Sequence, residues 1–474
     1  MYGGAVGAIA PTTMNKLTKY LNETKYEALP KDVVESTRKQ ILDTLGVTVA
    51  GSTCSIAGEM KGLVSLVKEW GGKEESTLIA FGGRVPAPNA AFINAISSAR
   101  LDFDDTLVTW INIHTSRAIV PTAFAMAERL GNVNGKELIT AVALGYDLAC
   151  RIKQAAGYNA DNAIRFTSNF FGAAATAARL LGLNHEKFQN ALFLAFHQMC
   201  GAGSTGGGGI GAGASLKGVS NGFAAKAGII SALLAEKGFT ADPNFLDAEN
   251  KNNYYQMYCS GAYLPWILTL ELGKTYAGSN TSLKEYPCCH GQHAAIEATL
   301  RLMKDHHLDT NDIAEITIHH SPMDTGLLNP IEIKQNPRNI IETQFSLCWG
   351  VASAIVLGDV GIKNFNDESF MDTRIRSVAR KVTGRLDMEM AREQGFPSAA
   401  VDIKTRNGEV FSAQVDHAFG TVGNPMKLSD VASKFKSCCQ YSANRISAGN
   451  QDKVIQMVED LEKINDVGVI VRLL

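Results

Sequence analysis

Hydrophobic residues recur at helical spacing through most of the chain from about residue 15 to 275. Apolar positions three or four residues apart, which is the period of an amphipathic helix, are clearest in four segments: 32–51, 135–152, 172–183 and 221–238. Many of these apolar positions are alanine or glycine, and small residues let helices approach closely. The pattern predicts a tightly packed helical bundle, with 76–83 as its one short strand-like run.

The pattern changes after about residue 280. Residues 313–321 alternate apolar and polar positions and carry β-branched side chains, as a half-buried strand does. Residues 401–417 predict a hairpin, because Asn-Gly supplies the positive φ angles of a tight turn. Residues 381–389 are a third candidate strand, and 342–358 predict a buried helix. This part of the chain therefore reads as an α+β unit.

The order of these elements predicts a mainly α protein with an α+β second domain. We expect a large all-helical domain whose first part is residues 1–275, with a smaller α+β lid domain inserted at 276–420. The C-terminal helices, 421–474, are expected to rejoin the helical domain. A chain of 474 residues is long enough for two or three domains.

Composition narrows the class of partner. Lys plus Arg number 45 against 47 for Asp plus Glu, so the net charge is only −2. The chain therefore lacks the excess of basic residues that binding to a phosphate backbone or an anionic membrane favours. The N-terminus has neither the basic nor the apolar region of a secretory signal, and no apolar stretch reaches the about 20 residues of a membrane span. Nine cysteines, an odd number in a long chain, argue against a disulfide framework. We expect a cytoplasmic protein without nucleic-acid or membrane partners.

The glycine run at 201–213 contains a formal G-x-G-x-x-G at Gly206, Gly208 and Gly211. A dinucleotide site requires a preceding strand within a βαβ unit, whereas the residues before this run continue a helical pattern. We therefore favour a flexible loop or a close backbone approach to a ligand. Lys217 follows the run, where backbone amides and an ammonium group together suit an anion.

An acidic cluster, LDFDD, places Asp102, Asp104 and Asp105 nine or more residues before His114. A carboxylate beside an imidazole makes an acid/base pair, because it orients the ring and raises its basicity. Asp102 lies between Leu101 and Phe103 and is the one of the three that we most expect to be buried, where a carboxylate needs a partner. The alternative interpretation is a helix N-cap or a surface loop.

The segment KEYPCCHGQH, 284–293, combines Lys, Tyr, two Cys and two His. Cys289 and His293 have the spacing of one helical face, but a structural zinc site needs a second ligand pair and none is evident. We therefore expect no metal. An anion-binding or acid/base segment at a domain junction is the favoured interpretation, and a proline-containing linker with packed cysteines is the alternative.

Taken in order, several segments resemble the MmgE/PrpD family. The similar stretches cover nearly the whole chain: PNAAFINAISSARLDFDDT, HTS at 114–116, AIVPTAFAMAERLG, LKGVSNGFAAKAG, KEYPCCHGQHAAIEA and QFSLCWGVASAIVLG. The family includes 2-methylcitrate dehydratase, cis-aconitate decarboxylase and iminodisuccinate epimerase. The resemblance implies a helical domain with an α+β lid, a homodimer, and cofactor-free proton transfer next to a carboxylate of a small di- or tricarboxylic acid.

The resemblance also implies catalytic residues. Asp102 and His114 correspond to the family's acid/base pair, with Asp102 orienting the ring. Lys217 and Lys284 correspond to lysines that bind substrate carboxylates and stabilise enolate-like charge.

This sequence departs from the family at several positions. Cys289 falls where a catalytic histidine of cis-aconitate decarboxylase lies, and His290 is next to it as a substitute substrate-binding group. A second family histidine falls at Arg165-Phe166, where Arg165 is expected to grip a substrate carboxylate. A further family histidine corresponds to Ala99.

We therefore expect a cofactor-independent lyase, either a dehydratase or a decarboxylase, acting on a small di- or tricarboxylate. An epimerase or isomerase of a dicarboxylate such as iminodisuccinate is the first alternative. A non-catalytic family member that binds polycarboxylates is the second, and the missing histidine at Phe166 is the feature that favours it.

Overall fold

The computed structural model of the chain describes residues 12–53, 57–108, 112–157, 167–199, 216–242, 244–391 and 398–474. Helices dominate, and a small mixed sheet lies in the C-terminal part. The predicted fold class, mainly α with an α+β second unit, is confirmed.

The helical unit is built from the first ten helices and the last three. The first ten are α1 (Thr13–Glu23), α2 (Lys31–Gly51), α3 (Ala57–Glu69), α4 (Ala87–Ala99), α5 (Ser116–Leu130), α6 (Gly135–Ala155), α7 (Ser168–Leu180), α8 (His185–Gln198), α9 (Leu216–Glu236) and α10 (Tyr254–Cys259). All four segments with the clearest helical period form helices. The strand-like run at 76–83 is shorter than predicted, because only β1 (Ser76–Thr77) pairs, with β2 (Arg84–Val85).

Small residues determine how closely these helices pack. A Cβ atom on Gly172 of α7 would lie 2.8 Å from the Gly145 carbonyl of α6, and one on Gly228 of α9 would lie 2.6 Å from the Ala173 Cβ of α7. Such distances leave room for hydrogen only, so the alanine- and glycine-rich faces provide the close approach predicted from the sequence.

The helical unit also contains a short hairpin of β3 (Leu107–Val108) and β4 (Asn112–Ile113). The helices and strands of the α+β unit are α11 (His293–Asp305), β5 (Ile313–His320), α12 (Ile331–Gln335), α13 (Ile340–Thr343), α14 (Leu347–Leu357), α15 (Asp367–Met371), α16 (Thr373–Ala379), β6 (Val382–Leu386), β7 (Ala399–Thr405) and β8 (Val410–Val415). Its four strands form one sheet in the order β6-β5-β7-β8. β5 pairs with β6 in parallel and with β7 antiparallel, and α11 packs against β7 and β8.

The predicted hairpin forms between β7 and β8, with a different turn from the one expected. Only Gly408 has a positive φ, of 94°, and Thr405 pairs with Glu409 around a three-residue loop. A loop of this length needs one left-handed residue, which glycine supplies, rather than the two of an Asn-Gly two-residue turn.

The described residues form two large hydrophobic cores and two small clusters. One large core extends from Met14 to Leu283 and resumes at Met426, and the other extends from Tyr286 to Ala418. The last helices, α17 (Leu428–Cys439), α18 (Ala448–Glu459) and α19 (Gly468–Val471), belong to the first core, because α17 and α18 pack against α2. The exact domain limits stay a prediction.

One helix among the described residues, Gly218–Glu236, is long and apolar enough to cross a membrane by length and composition alone. Most of it is buried, because this part of α9 packs against α4, α7 and α8. A helix that packs against several others in a protein core is expected to be apolar, so these contacts explain its composition.

Candidate active site

The acidic segment lies where the two units meet. α4 ends at Ala99, and Asp102 then adopts a left-handed backbone conformation with φ of 49°. Thr106 and Ser282 exchange two backbone hydrogen bonds of 2.8 Å, which place the acidic segment beside the connection that leads into the α+β unit. The predicted position of residues 284–293, at a junction, agrees with this placement.

All three aspartates are buried. Asp104 and Asp105 are fully inaccessible, and Asp102 is 3% exposed. Asp102 is therefore buried, as expected, and the other two carboxylates are buried as well. With all three buried, the alternative of a surface loop is wrong.

Asp104 is the carboxylate that contacts His114. Its Oδ2 atom lies 3.2 Å from His114 Nδ1 and 2.5 Å from the buried guanidinium of Arg117. The same ring nitrogen lies 2.7 Å from the Asp105 carbonyl. Because both neighbours are acceptors, Nδ1 carries the proton and donates it, which leaves Nε2 as the basic nitrogen.

Asp102 has a different partner from the one predicted. Its Oδ2 atom lies 3.0 Å from Lys284 Nζ, and the same ammonium donates a 2.6 Å hydrogen bond to the Asp102 carbonyl. Both side chains are almost completely buried. The expectation that Asp102 orients His114 is therefore corrected, since Asp104 contacts the ring and Asp102 fixes the lysine.

The charges of this cluster determine its protonation states. Burial alone would raise the pKa of Asp104, but Arg117 and His114 outweigh it and hold that pKa below its usual range. Burial and the Arg117 charge lower the pKa of His114 to about 4, although Asp104 opposes them. Burial alone would lower the pKa of Lys284, but the charges of Asp102 and Asp104 outweigh it and raise that pKa above its usual value. At neutral pH the site therefore holds a neutral imidazole beside a charged lysine.

Asp105 stabilises the start of α5. Its Oδ1 atom accepts hydrogen bonds from the Ser116 amide, at 3.3 Å, and from the Ser116 hydroxyl, and its Oδ2 atom accepts one of 2.9 Å from Tyr146. Asp105 thus binds the first residue of α5 from a separate segment, whereas the N-cap residue itself, Thr115, makes no side-chain cap hydrogen bond. Burial and the neighbouring Asp104 raise the pKa of Asp105 to about 7, although both hydroxyl donors lower it.

Replacing Asp105 with Asn is expected to change how stability depends on pH. An unfolded Asp titrates near about 3.9, so up to about pH 7 the folded protein binds more protons at Asp105 than the unfolded chain. The Asp105 contribution to the free energy of unfolding therefore falls as pH rises through this window. Urea denaturation across the window should show the wild-type protein losing stability relative to Asp105→Asn as pH rises. A difference independent of pH would contradict the assignment.

The segment after Lys284 contributes two buried histidines. Their rings are 5.1 Å apart, and His290 Nε2 is buried without a hydrogen-bond partner among the described residues. Burial and the charges of Lys284 and His114 lower the pKa of His290 to about 3. Because the charges of Lys284 and His114 affect the pKa of His290, this histidine lies close to the same cluster. Its unpaired nitrogen is available to a water molecule or a ligand.

The cysteines of this segment do not form a helical pair with His293. Cys288 is buried and Cys289 is half-buried, and α11 begins only at His293. A thiolate at Cys289 would raise the pKa of Lys284, so this residue lies near the cluster. In the part of the chain that the structure describes, no three His, Cys, Asp or Glu side chains are grouped so that they would hold a metal ion.

The structure thus brings five of the predicted site residues together: Asp102, His114, Lys284, Cys289 and His290. Arg165 and Phe166, together with the glycine run at 201–213, lie outside the described residues. Lys217 is the second residue of α9, and its side chain is outside the described part. Their predicted roles stay predictions.

Sequence reasoning missed Asp104 as the partner of His114, and it missed Arg117. A signal for Arg117 existed, because it is the one charged residue in the apolar start of α5, SRAIVPTAFAMA, and a charge on a buried face needs a partner. No local signal separates Asp104 from Asp102, since both lie in the same acidic run.

The helical unit and the α+β unit meet at a buried cluster of carboxylate, imidazole and ammonium groups. Residues 15–266 match the MmgE/PrpD N-terminal domain, and residues 286–463 match the MmgE/PrpD C-terminal domain. The chain belongs to the MmgE/PrpD family, which confirms the resemblance seen in the sequence.

Individual relatives are distant but cover nearly the full length. The chain is 24% identical over 466 residues to the cis-aconitate decarboxylase of Homo sapiens, spanning 93% of this chain and 90% of the relative. It is likewise 24% identical over 468 residues to the cis-aconitate decarboxylase of Aspergillus terreus, spanning 94% and 92%.

Proposed function

We propose that this chain is a cofactor-independent lyase that acts on a small di- or tricarboxylic acid by proton transfer next to a carboxylate. Decarboxylation of cis-aconitate is the first reaction to test, because relatives with that name match nearly the whole chain. Dehydration of a related hydroxy acid is the other lyase reaction within the proposal.

A neutral His114 beside a charged Lys284 carries this proposal. The Nδ1 proton is fixed by Asp104 and the Asp105 carbonyl, so Nε2 is the atom that gains or loses a proton during the reaction. Lys284 lies against Asp102 in the same cluster, and an ammonium group stabilises the negative charge that develops on a substrate carboxylate.

The same atoms serve both lyase reactions. In dehydration, Nε2 removes a proton from the carbon next to a carboxylate and the electron pair forms the alkene. The protonated ring then gives that proton to the departing hydroxyl, which leaves as water. In decarboxylation, the C–C bond to the departing carboxylate breaks, its electron pair moves onto the remaining unsaturated acid, and a carbon next to a carboxylate takes a proton from His114. A bound polyanion favours the protonated ring that this second reaction needs.

Proton NMR of the purified protein with separate polycarboxylates tests the proposal. The panel is cis-aconitate, 2-methylcitrate, citrate and iminodisuccinate, each in D2O. A new alkene, or loss of CO2 with a new dicarboxylate, is expected for at least one compound.

Other outcomes separate the alternatives. Deuterium that enters a substrate of unchanged composition would replace the lyase with an epimerase or isomerase. Thermal stabilisation by a polycarboxylate without any reaction would favour the non-catalytic binder, because a ligand selective for the folded state stabilises it. A homodimer and a cytoplasmic location accompany the proposal as predictions.

A further inference from the structure

Lys434, in α17, is a buried cation that links segments far apart in the sequence. Its Nζ atom lies 2.7 Å from Asp43 Oδ1 in α2, and it donates hydrogen bonds to the Phe103 carbonyl, at 2.9 Å, and to the Lys284 carbonyl, at 2.7 Å. An ammonium group has three N–H donors, and each of these has an oxygen partner here. The same Nζ lies 3.8 Å from the centre of the Phe103 ring.

Two of these oxygens belong to the backbone of the active site. Lys434 binds the Phe103 carbonyl, and Lys284 binds the preceding carbonyl, that of Asp102. Successive carbonyls of the acidic segment are thus held by two buried ammonium groups. Asp102 has φ of 49°, a left-handed conformation that residues with a side chain adopt less readily than glycine, and the two ammonium groups hold the backbone on this residue and the next.

Stability alone is a poor reason for this arrangement. Taking an ammonium and a carboxylate out of water is costly, and apolar residues of similar size often replace a buried ion pair without loss of stability. Lys434 and Asp43 bind across two helices, and the remaining donors of Lys434 reach the two segments that carry Asp102 and Lys284.

We propose that Lys434 is a positioning residue of the active site. It fixes the backbone at Phe103 and Lys284, so that the Lys284 ammonium and the Asp102 carboxylate hold the geometry in which a substrate carboxylate is received. The expected effect on kcat rests on the proposed function. The expected effect on the geometry of Asp102 and Lys284 does not depend on any substrate.

The kinetic test compares Lys434→Met with the double variant Asp43→Asn/Lys434→Met. The single variant leaves Asp43 buried without its cation and is expected to lose stability, whereas the double variant regains much of it. We expect both to keep a kcat about 10–100-fold below the wild-type value, since small displacements of catalytic groups have effects of this size. Recovery of kcat together with stability in the double variant would overturn the proposal.

A matched control lies on the same helix. Lys436 is exposed and pairs with Asp452 at the surface, so Lys436→Met should keep both kcat and thermal stability. Loss of kcat in this variant equal to that in the double variant would show a general effect of changing α17 and would overturn the role of Lys434.

Crystal structures of the wild-type protein and the double variant give the substrate-independent test. We expect Lys284 Nζ to leave the Asp102 carbonyl, and Asp102 to return to a negative φ. Unchanged geometry at both residues would overturn the proposal. If the wild-type protein converts no compound of the panel, the proposed function fails while this comparison still decides the role of Lys434.

Discussion

His114→Gln is expected to lower turnover of the polycarboxylate substrate by about 10²–10⁴-fold, the range associated with loss of a general acid or base. The glutamine amide nitrogen lies near the position of Nε2, where it can donate a hydrogen bond but has no basic lone pair. The variant gives up the 2.7 Å contact between His114 Nδ1 and the Asp105 carbonyl, so a small loss of thermal stability is expected beside the loss of turnover. Steady-state kinetics with the substrate found by NMR, together with thermal unfolding, measures both effects.

The matched control for this variant is His185→Gln. His185 is exposed, at the start of α8, and contacts Asn15. It should keep wild-type kcat and KM. Full activity in His114→Gln would remove His114 from the mechanism, whatever its position in the structure.

Arg117→Met is expected to lower the free energy of unfolding by about 3–5 kcal/mol, because removing one partner of a buried ion pair leaves an uncompensated charge. Arg117 and Asp104 are both fully buried, and their side chains are 2.5 Å apart. Urea denaturation at neutral pH measures the loss. The exposed pair Arg374–Asp372 provides the control, and Arg374→Met should change stability by about 0–1 kcal/mol.

The sign of the pH dependence distinguishes this mechanism from a simple loss of packing. Arg117 holds the pKa of Asp104 below its usual range, so the pair contributes stability above the unfolded pKa of about 3.9. That contribution is lost as pH falls through the lower folded pKa. The gap between wild-type protein and Arg117→Met should therefore narrow in acid. A gap that stays constant across pH would indicate that Arg117 acts through packing alone.

Local periodicity was sufficient to predict the elements. The helix predicted at 135–152 is Gly135–Ala155, and the strand predicted at 313–321 is Ile313–His320. Each of these depends on the spacing of its own apolar residues, which the chain displays directly. The hairpin turn was predicted less well, because its loop length depends on the register between β7 and β8.

Partners inside the site depend on three-dimensional geometry that the sequence does not display. Asp102 and Asp104 are two residues apart in one acidic run, yet Asp104 contacts His114 whereas Asp102 contacts Lys284. Lys434 and Lys436 lie on one helix, and only the packing of α17 against α2 makes the first buried and the second exposed. Spacing along the chain predicts that a residue is near the site, but not which atom it contacts.

The reaction of cis-aconitate in D2O, followed by proton NMR for the wild-type protein and His114→Gln, tests the central claim most directly. Wild-type protein should release CO2 and place one deuterium on a carbon next to a carboxylate of the product, and His114→Gln should slow this about 10²–10⁴-fold. Conversion without solvent deuterium at that carbon, or at an equal rate in both proteins, would contradict proton transfer by His114.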